Sequence, residues 1–255
     1  MGFKSIPPIL GKIVEKKKLE IQEISLKKTP QPCEKSLKAA LLAQEQAIIA
    51  ECKKASPSAG VIREDYNPLS IAQEYQSLGA AAISVLTDQD FFQGSLSHLQ
   101  AITNAVETPV LRKDFVISEK QIDEARLYGA SATLLIVRIL SEKRLQELLQ
   151  HSQSLGMDVL VETHSQEEAS IAENVGAEII GINSRDLDTF TIDPGLISKV
   201  AQTLPDSICK VAESGVKTRQ DYLQMTEFAD AALIGTYFMR ADDIANAYKS
   251  LLGQN

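Results

Sequence analysis

The chain has 255 residues, 44% of them hydrophobic and 24% charged, with a formal net charge of -8. That is enough apolar material for a sizeable core, and the negative balance argues against nucleic acid as a main partner. Three sparse cysteines without CxxC spacing, Cys33, Cys52 and Cys209, argue against a disulfide or zinc framework and fit a reducing compartment.

The opening Met-Gly-Phe-Lys-Ser-Ile lacks a signal-peptide core and fails the myristoylation pattern at Ile6. No apolar run approaches the ~18 residues of a membrane span, so a soluble, cytoplasmic protein without a membrane partner is expected. Ile9, Leu10, Ile13 and Val14 recur at helical spacing. The run Lys16-Lys17-Lys18 that follows reads as a solvated helix face. Thr29-Pro30-Gln31-Pro32 interrupts the pattern, and residues 36–46 read as a second helix rich in Ala and Leu. Residues 1–46 are too short for an independent domain. They form a helical extension that packs on the rest of the chain or covers its mouth.

From residue 47 onward, strand and helix patterns alternate. Strands are predicted at 48–53, 81–86, 110–113, 132–137, 159–162, 179–183, 209–213 and 232–234. Most are continuous apolar runs, as parallel strands covered on both faces require. Amphipathic helices are predicted at 119–127, 142–155 and 167–175, and Gly79, Gly129, Gly156 and Gly176 stand where left-handed helix caps are expected. No Pro/Gly/Ser-rich linker divides residues 1–255, so one domain is expected. Eight βα units in a chain of about 250 residues predict an α/β fold, a (β/α)8 TIM barrel with an N-terminal two-helix extension. The alternative is an open doubly wound sheet, but no GxGxxG follows the first strand.

Polar residues end nearly every strand. Side chains alternate along a strand, so Glu51 and Lys53 share one face while Cys52 and Lys54 share the other, where Cys52 packs. A carboxylate and an ammonium at the end of a buried strand are costly unless paired or used. Later strand ends contribute Lys113, Glu162, Asn183, Arg185, Glu213 and Ser214. A barrel brings these to one mouth. Ammonium groups beside carboxylates supply general acids and general bases without metal or cofactor. His98, His151 and His164 are scattered without ligand spacing, and His164 reads as a loop histidine in solvent. Ser56-Pro57-Ser58, Glu213-Ser214-Gly215 and Gly235-Thr236 are candidate phosphate loops, with Gly215 and Gly235 allowing close backbone approach. The Ser-Pro-Ser-Ala-Gly stretch suits a mobile binding loop. Phe92 and Phe115 are candidates for holding a flat aromatic ligand. Leu134 and Ile136 read as barrel core, with Leu187 beside the mouth.

At this point the pattern resembles a known family. ECKKASPS (51–58), FFQGS (91–95), LRKDF (111–115), EARLYGASATLLI (124–136), VETH (161–164), GINSRDL (181–187), VAESG (211–215) and LIG (233–235) stand in the order and context found in indole-3-glycerol phosphate synthases. The resemblance spans the whole barrel and the two-helix extension. It implies ring closure of 1-(2-carboxyphenylamino)-1-deoxyribulose 5-phosphate to indole-3-glycerol phosphate, with loss of carbon dioxide and water, in tryptophan biosynthesis. It further implies Lys113 as general acid, Lys53 at the substrate carboxylate and in dehydration, and Glu162 and Glu51 as base candidates. Asn183, Glu213 and Ser214 would hold substrate hydroxyls and order the lysines. Arg185 would sit near the carboxylate. Ser56, Gly215 and Gly235, with Thr236, would bind phosphate. Two departures stand out: Tyr237 where smaller residues are usual, and Ala59 where a basic residue is common. The partner expected is a small phosphorylated substrate, and the state a monomer or weak homo-oligomer. The rival readings are a Schiff-base aldolase using Lys113 as nucleophile and a non-catalytic sensor of a phosphorylated metabolite.

Overall fold

The short apolar runs become strands because only a β-sheet covered by helices buries both their faces. In the computed structural model, which describes residues 8–26, 28–186 and 189–254, they are β1 (Ala47–Cys52), β2 (Ala82–Leu86), β3 (Val110–Lys113), β4 (Ala132–Ile136), β5 (Asp158–Thr163), β6 (Ile179–Asn183), β7 (Cys209–Glu213) and β8 (Ala231–Ile234). All pair in parallel, each with its neighbour in sequence, and β1 closes the ring by pairing with both β2 and β8. The result is the (β/α)8 barrel expected from the sequence, with every predicted strand within two residues of its predicted ends.

Helices form the outer layer. Before the barrel come α1 (Pro8–Glu23) and α2 (Leu37–Leu42). After β1 to β4 follow α3 (Pro68–Ser77), α4 (Leu96–Thr103), α5 (Glu119–Leu127) and α6 (Glu142–Ser154). After β5 to β7 follow α7 (Gln166–Asn174), α8 (Gly195–Ala201) and α9 (Arg219–Thr226). After β8 follow α10 (Thr236–Met239) and α11 (Ile244–Leu252). The four glycines expected to stop α3, α5, α6 and α7 all have positive φ, the conformation that closes a helix without a Cβ clash. Among the described residues, no helix is long and apolar enough to cross a membrane.

Three expectations are corrected. The second helix is shorter than 36–46, because Ser36 caps it, accepting from the Ala39 amide at 3.0 Å, and the chain turns at Gln46, which has φ 54°. The loop after β1 carries order of its own: Ala55–Ser56 pairs antiparallel with Gly60–Val61. Lys17 does not lie on a solvated face. Its side chain is 2% exposed, with Nζ 2.8 Å from Glu20, 2.8 Å from Asp88 and 2.9 Å from Asp114. The helical pattern shows which residues face the barrel, and Lys17 faces it with Leu10, Ile13 and Val14; buried carboxylates make an ammonium acceptable there. Residues 1–6 and Leu187, named above, lie outside the described residues.

Candidate active site

Strand alternation sets the first pair. Glu51 points into the barrel and Lys53 follows it on the same side, with Lys53 Nζ 2.7 Å from Glu51 Oε1. Cys52, between them, is fully buried under α3, with its thiol 3.9 Å from the Pro68 carbonyl. Lys113, at the end of β3, reaches the middle of the ring. Its Nζ is 3.5 Å from Glu213, 3.6 Å from Glu162 and 3.9 Å from Glu51. Asn183 of β6 donates from Nδ2 to Glu162 Oε1 at 3.2 Å, and its Oδ1 accepts from the Arg185 amide at 3.0 Å.

These carboxylates do not share one protonation state. Burial works against every charge here. At Glu162 the Lys113 ammonium outweighs it and holds the carboxyl well below its usual range. At Glu51 the two lysines do the same. At Glu213 burial and the neighbouring Glu162 charge win, pushing it up to about 8. Lys113 is held strongly protonated despite its burial, chiefly by Glu213, Glu162 and Glu51. The ring thus holds a firm ammonium donor, two firm carboxylates and one carboxyl that keeps its proton at neutral pH.

Two glycines give the carboxylates room. A Cβ on Gly181 would collide with Glu213 Oε1, and one on Gly235 with Glu51 Oε1. Gly235, a candidate for the phosphate loop, lines the cavity and lies against the Glu51 carboxylate on one side. Gly181 was not singled out in the sequence, where it reads only as one apolar strand position.

The ring lies in a cavity of about 720 Å³. Lys53, Lys113, Glu51, Glu162, Glu213, Asn183, Ser214 and Arg185 all line it, as do Ser56, Gly215, Gly235 and Thr236. So do Phe92 and Phe115, whose ring centroids are 6.0 Å apart. Leu134 and Ile136 form part of its wall and are also core residues, each 3% exposed. Ser214 itself has φ 67°, which turns the chain after β7 toward the opening. Tyr237 lines the cavity and stands edge-on to Phe238, while Ala59 lines it from the first loop. Ile9, Leu10 and Ile13 of α1 line it too, so the extension covers the mouth as well as packing on the barrel. Lys217 and Arg240 were missed in the sequence and also line the cavity. Their signal was position alone: each lies a few residues beyond a candidate phosphate loop.

His164 corrects another expectation. It is no solvent-facing loop residue. Its side chain is 2% exposed, between Glu162 and Glu168. A sequence shows it only as the residue after a strand, which is normally where solvent begins.

Beside the site, under α1, lies a second charged cluster. Arg112, one residue before Lys113, contacts Asp114 at 3.2 Å and Glu124 at 2.9 Å. Asp114 in turn meets Lys17 of α1. Burial opposes ionisation of Asp114, but Arg112 and Lys17 bring it down to about 2.

The barrel resembles 3-hexulose-6-phosphate synthase (TM-score 0.66, 16% identity, 82% of this chain and 99% of that one). It also resembles thiamine phosphate pyrophosphorylase from Pyrococcus furiosus (TM-score 0.63, 16% identity, 84% and 96%). At that identity the likeness concerns the fold alone. Sequence relatives are far nearer. An indole-3-glycerol phosphate synthase of Leptospira interrogans is 51% identical over 243 residues, 95% of this chain and 96% of the relative. One of Campylobacter jejuni subsp. doylei is 46% identical over 260 aligned positions, 96% of this chain and 100% of the relative. The family model described as indole-3-glycerol phosphate synthase matches residues 9–251. With the barrel, the ring of acids and bases and these relatives in agreement, the chain belongs to the indole-3-glycerol phosphate synthase family.

Proposed function

We propose that this chain closes the indole ring, converting 1-(2-carboxyphenylamino)-1-deoxyribulose 5-phosphate to indole-3-glycerol phosphate, carbon dioxide and water. The observation that carries the residue roles is the Lys113 ammonium, 3.5–3.9 Å from three carboxylates inside one cavity. The aromatic ring carbon bearing the carboxylate attacks the ketone carbon, and Lys113 protonates the ketone oxygen as the bond forms. The cyclised intermediate is cationic. Glu51 and Glu162 stabilise that charge, and the carbon–carboxylate bond breaks, its electrons neutralising the ring as carbon dioxide leaves. The remaining hydroxyl takes a second proton, from Lys53, and departs as water. Glu162 or Glu51 removes the proton from the adjacent carbon.

The walls serve the folding of the substrate. Phe92 and Phe115 hold the benzoate ring. Arg185 and Lys53 meet the carboxylate. Asn183, Glu213 and Ser214 hold the hydroxyls. Ser56, Gly215, Gly235 and Thr236 take the phosphate. Anchoring the phosphate far from the reacting atoms provides binding energy for bending the chain over the ring. The three thiols are free, which supports a reducing, cytoplasmic setting. A monomer or weak homo-oligomer suffices, because every proposed group comes from one chain.

An aldolase reading is disfavoured by the same ring. A Schiff-base lysine needs its amine neutral, whereas the ionised Glu162 and Glu51 keep Lys113 protonated. Lys113→Met, assayed with the carboxyphenylamino sugar phosphate by indole fluorescence, should lose about 10²–10⁴ in turnover while ligand binding is largely kept. Unchanged turnover removes Lys113 as the acid, and a borohydride-trapped adduct in the wild type revives the aldolase.

A further inference from the structure

Glu162 has a partner on the side facing away from the cavity. His164 lies two residues on, at the end of β5, and so falls on the same side of the strand. Thr163, between them, donates to the Gly181 carbonyl of β6 at 2.8 Å. The imidazole is almost wholly buried. Its Nε2 stands 3.2 Å from Glu162 Oε1 and its Nδ1 3.4 Å from Glu168 Oε2. Neither nitrogen is aligned for a hydrogen bond, so the ring meets both carboxylates through charge when it is protonated.

Glu168 is itself fixed. It accepts from the His164 amide at 2.7 Å and from Arg138 Nε at 2.8 Å. A chain of alternating charge therefore runs Lys113, Glu162, His164, Glu168, Arg138, from the cavity to the edge of α7. Glu162 lines the cavity, while His164 is absent from the described residues that do. The ring acts only through the carboxylate.

We propose that His164 is a positioning residue: held between Glu162 and Glu168, its imidazolium keeps Glu162 ionised and in place while Lys113 gives its proton to the substrate. The inference rests on the proposed role of Glu162 as a base. When Lys113 protonates the ketone, Glu162 loses its countercharge on the cavity side. A buried carboxylate left so would take up a proton and be unavailable for the next step. A second cation behind it, untouched by the reaction, prevents this.

The groups facing His164 are Glu162 from β5, Glu168 from α7 with Arg138 behind it, and Glu213 from β7. Lys113 lies beyond Glu162. Burial opposes the charged ring, yet the two adjacent carboxylates bring it up to about 9. The imidazolium is thus present below that pH and lost above it.

The test uses the full chain and the carboxyphenylamino sugar phosphate. His164→Asn should lower kcat about tenfold at pH 7 with KM little changed. The gap from wild type should narrow toward unity between about pH 8 and 10, where the wild-type ring also becomes neutral. A ratio that stays flat across pH, or wild-type kcat at pH 7, overturns the proposal. Should the variant fail to fold, nitrogen-15 NMR of the wild-type imidazole decides the matter. Both ring nitrogens protonated at pH 7.5 supports the proposal, and a neutral ring at that pH overturns it. Glu162→Gln separates the two readings. If it keeps turnover, the base role of Glu162 is lost. If it is inactive while His164→Asn behaves as wild type, only the role of His164 falls.

Discussion

The ammonium of Lys17, on a helix that precedes the barrel, sits 2.9 Å from the carboxylate of Asp114, the residue after Lys113. It also sits 2.8 Å from Asp88. The roofing helix and the loops that carry Phe92 and Phe115 are therefore joined by a buried charge cluster. Lys17→Met takes the cation from buried Asp88 and leaves Asp114 with Arg112 alone, and removing one partner of such a pair typically costs about 3–5 kcal/mol. We expect the unfolding free energy from urea titration to fall by that amount, with a lower midpoint, and KM to rise, since Ile9, Leu10 and Ile13 of the same helix line the cavity. A midpoint within experimental error of wild type would mean that the cluster does not fasten the helix.

Glu213 gives a prediction of opposite sign. In the folded chain it is pushed up to about 8, well above the ordinary carboxylate range. A carboxyl raised in this way detracts from stability as pH climbs from the unfolded value, because the unfolded chain ionises freely and the folded one does not. The penalty stops growing above about pH 8. Glu213→Gln mimics the protonated form and removes it. The variant should melt close to wild type near pH 5 and above it at pH 8, the gap widening between the two. A constant gap in melting temperature across that range would show that Glu213 ionises normally.

Gly181→Ala tests placement without removing a charge. The added methyl meets Glu213 Oε1 and comes within 3.3 Å of Leu160 Cδ1. The carboxylate is the end of a flexible side chain, so the fold should adjust at a cost of about 1–3 kcal/mol. The displacement moves Glu213 relative to Lys113. A misplacement of about 1 Å is enough for a loss near 10²-fold, so kcat should fall well beyond what the stability change explains. Equal, small losses in both would show that the position of Glu213 is not critical.

The sequence made the barrel and the ring readable for a physical reason. Parallel strands are buried on both faces, so a charged residue at the end of an apolar run stands out, and Glu51, Lys113, Glu162 and Glu213 all do. Alternation then places Glu51 with Lys53. Lys17 and His164 were not readable in the same way. Each is a polar residue whose burial depends on partners brought together by the fold: Asp88 and Asp114 for one, Glu162 and Glu168 for the other. Local pattern assigns an isolated lysine on a helix, or a histidine after a strand, to water. The spacing of His164 and Glu168, four residues apart, becomes informative only once a strand-to-helix turn is known to lie between them. Gly181 was silent because its meaning is the absence of a side chain opposite a residue from another strand.

Gly235 carries a consequence for how this molecule becomes competent. It follows the last strand of the barrel, and it is shaped around Glu51, which belongs to the first. The seam where the polypeptide ring is joined therefore runs through the chemistry. An assembly with seven strands in register can have nearly all its helices and still leave Glu51 facing water on one flank. Turnover reads whether that seam has shut, which a helical signal does not.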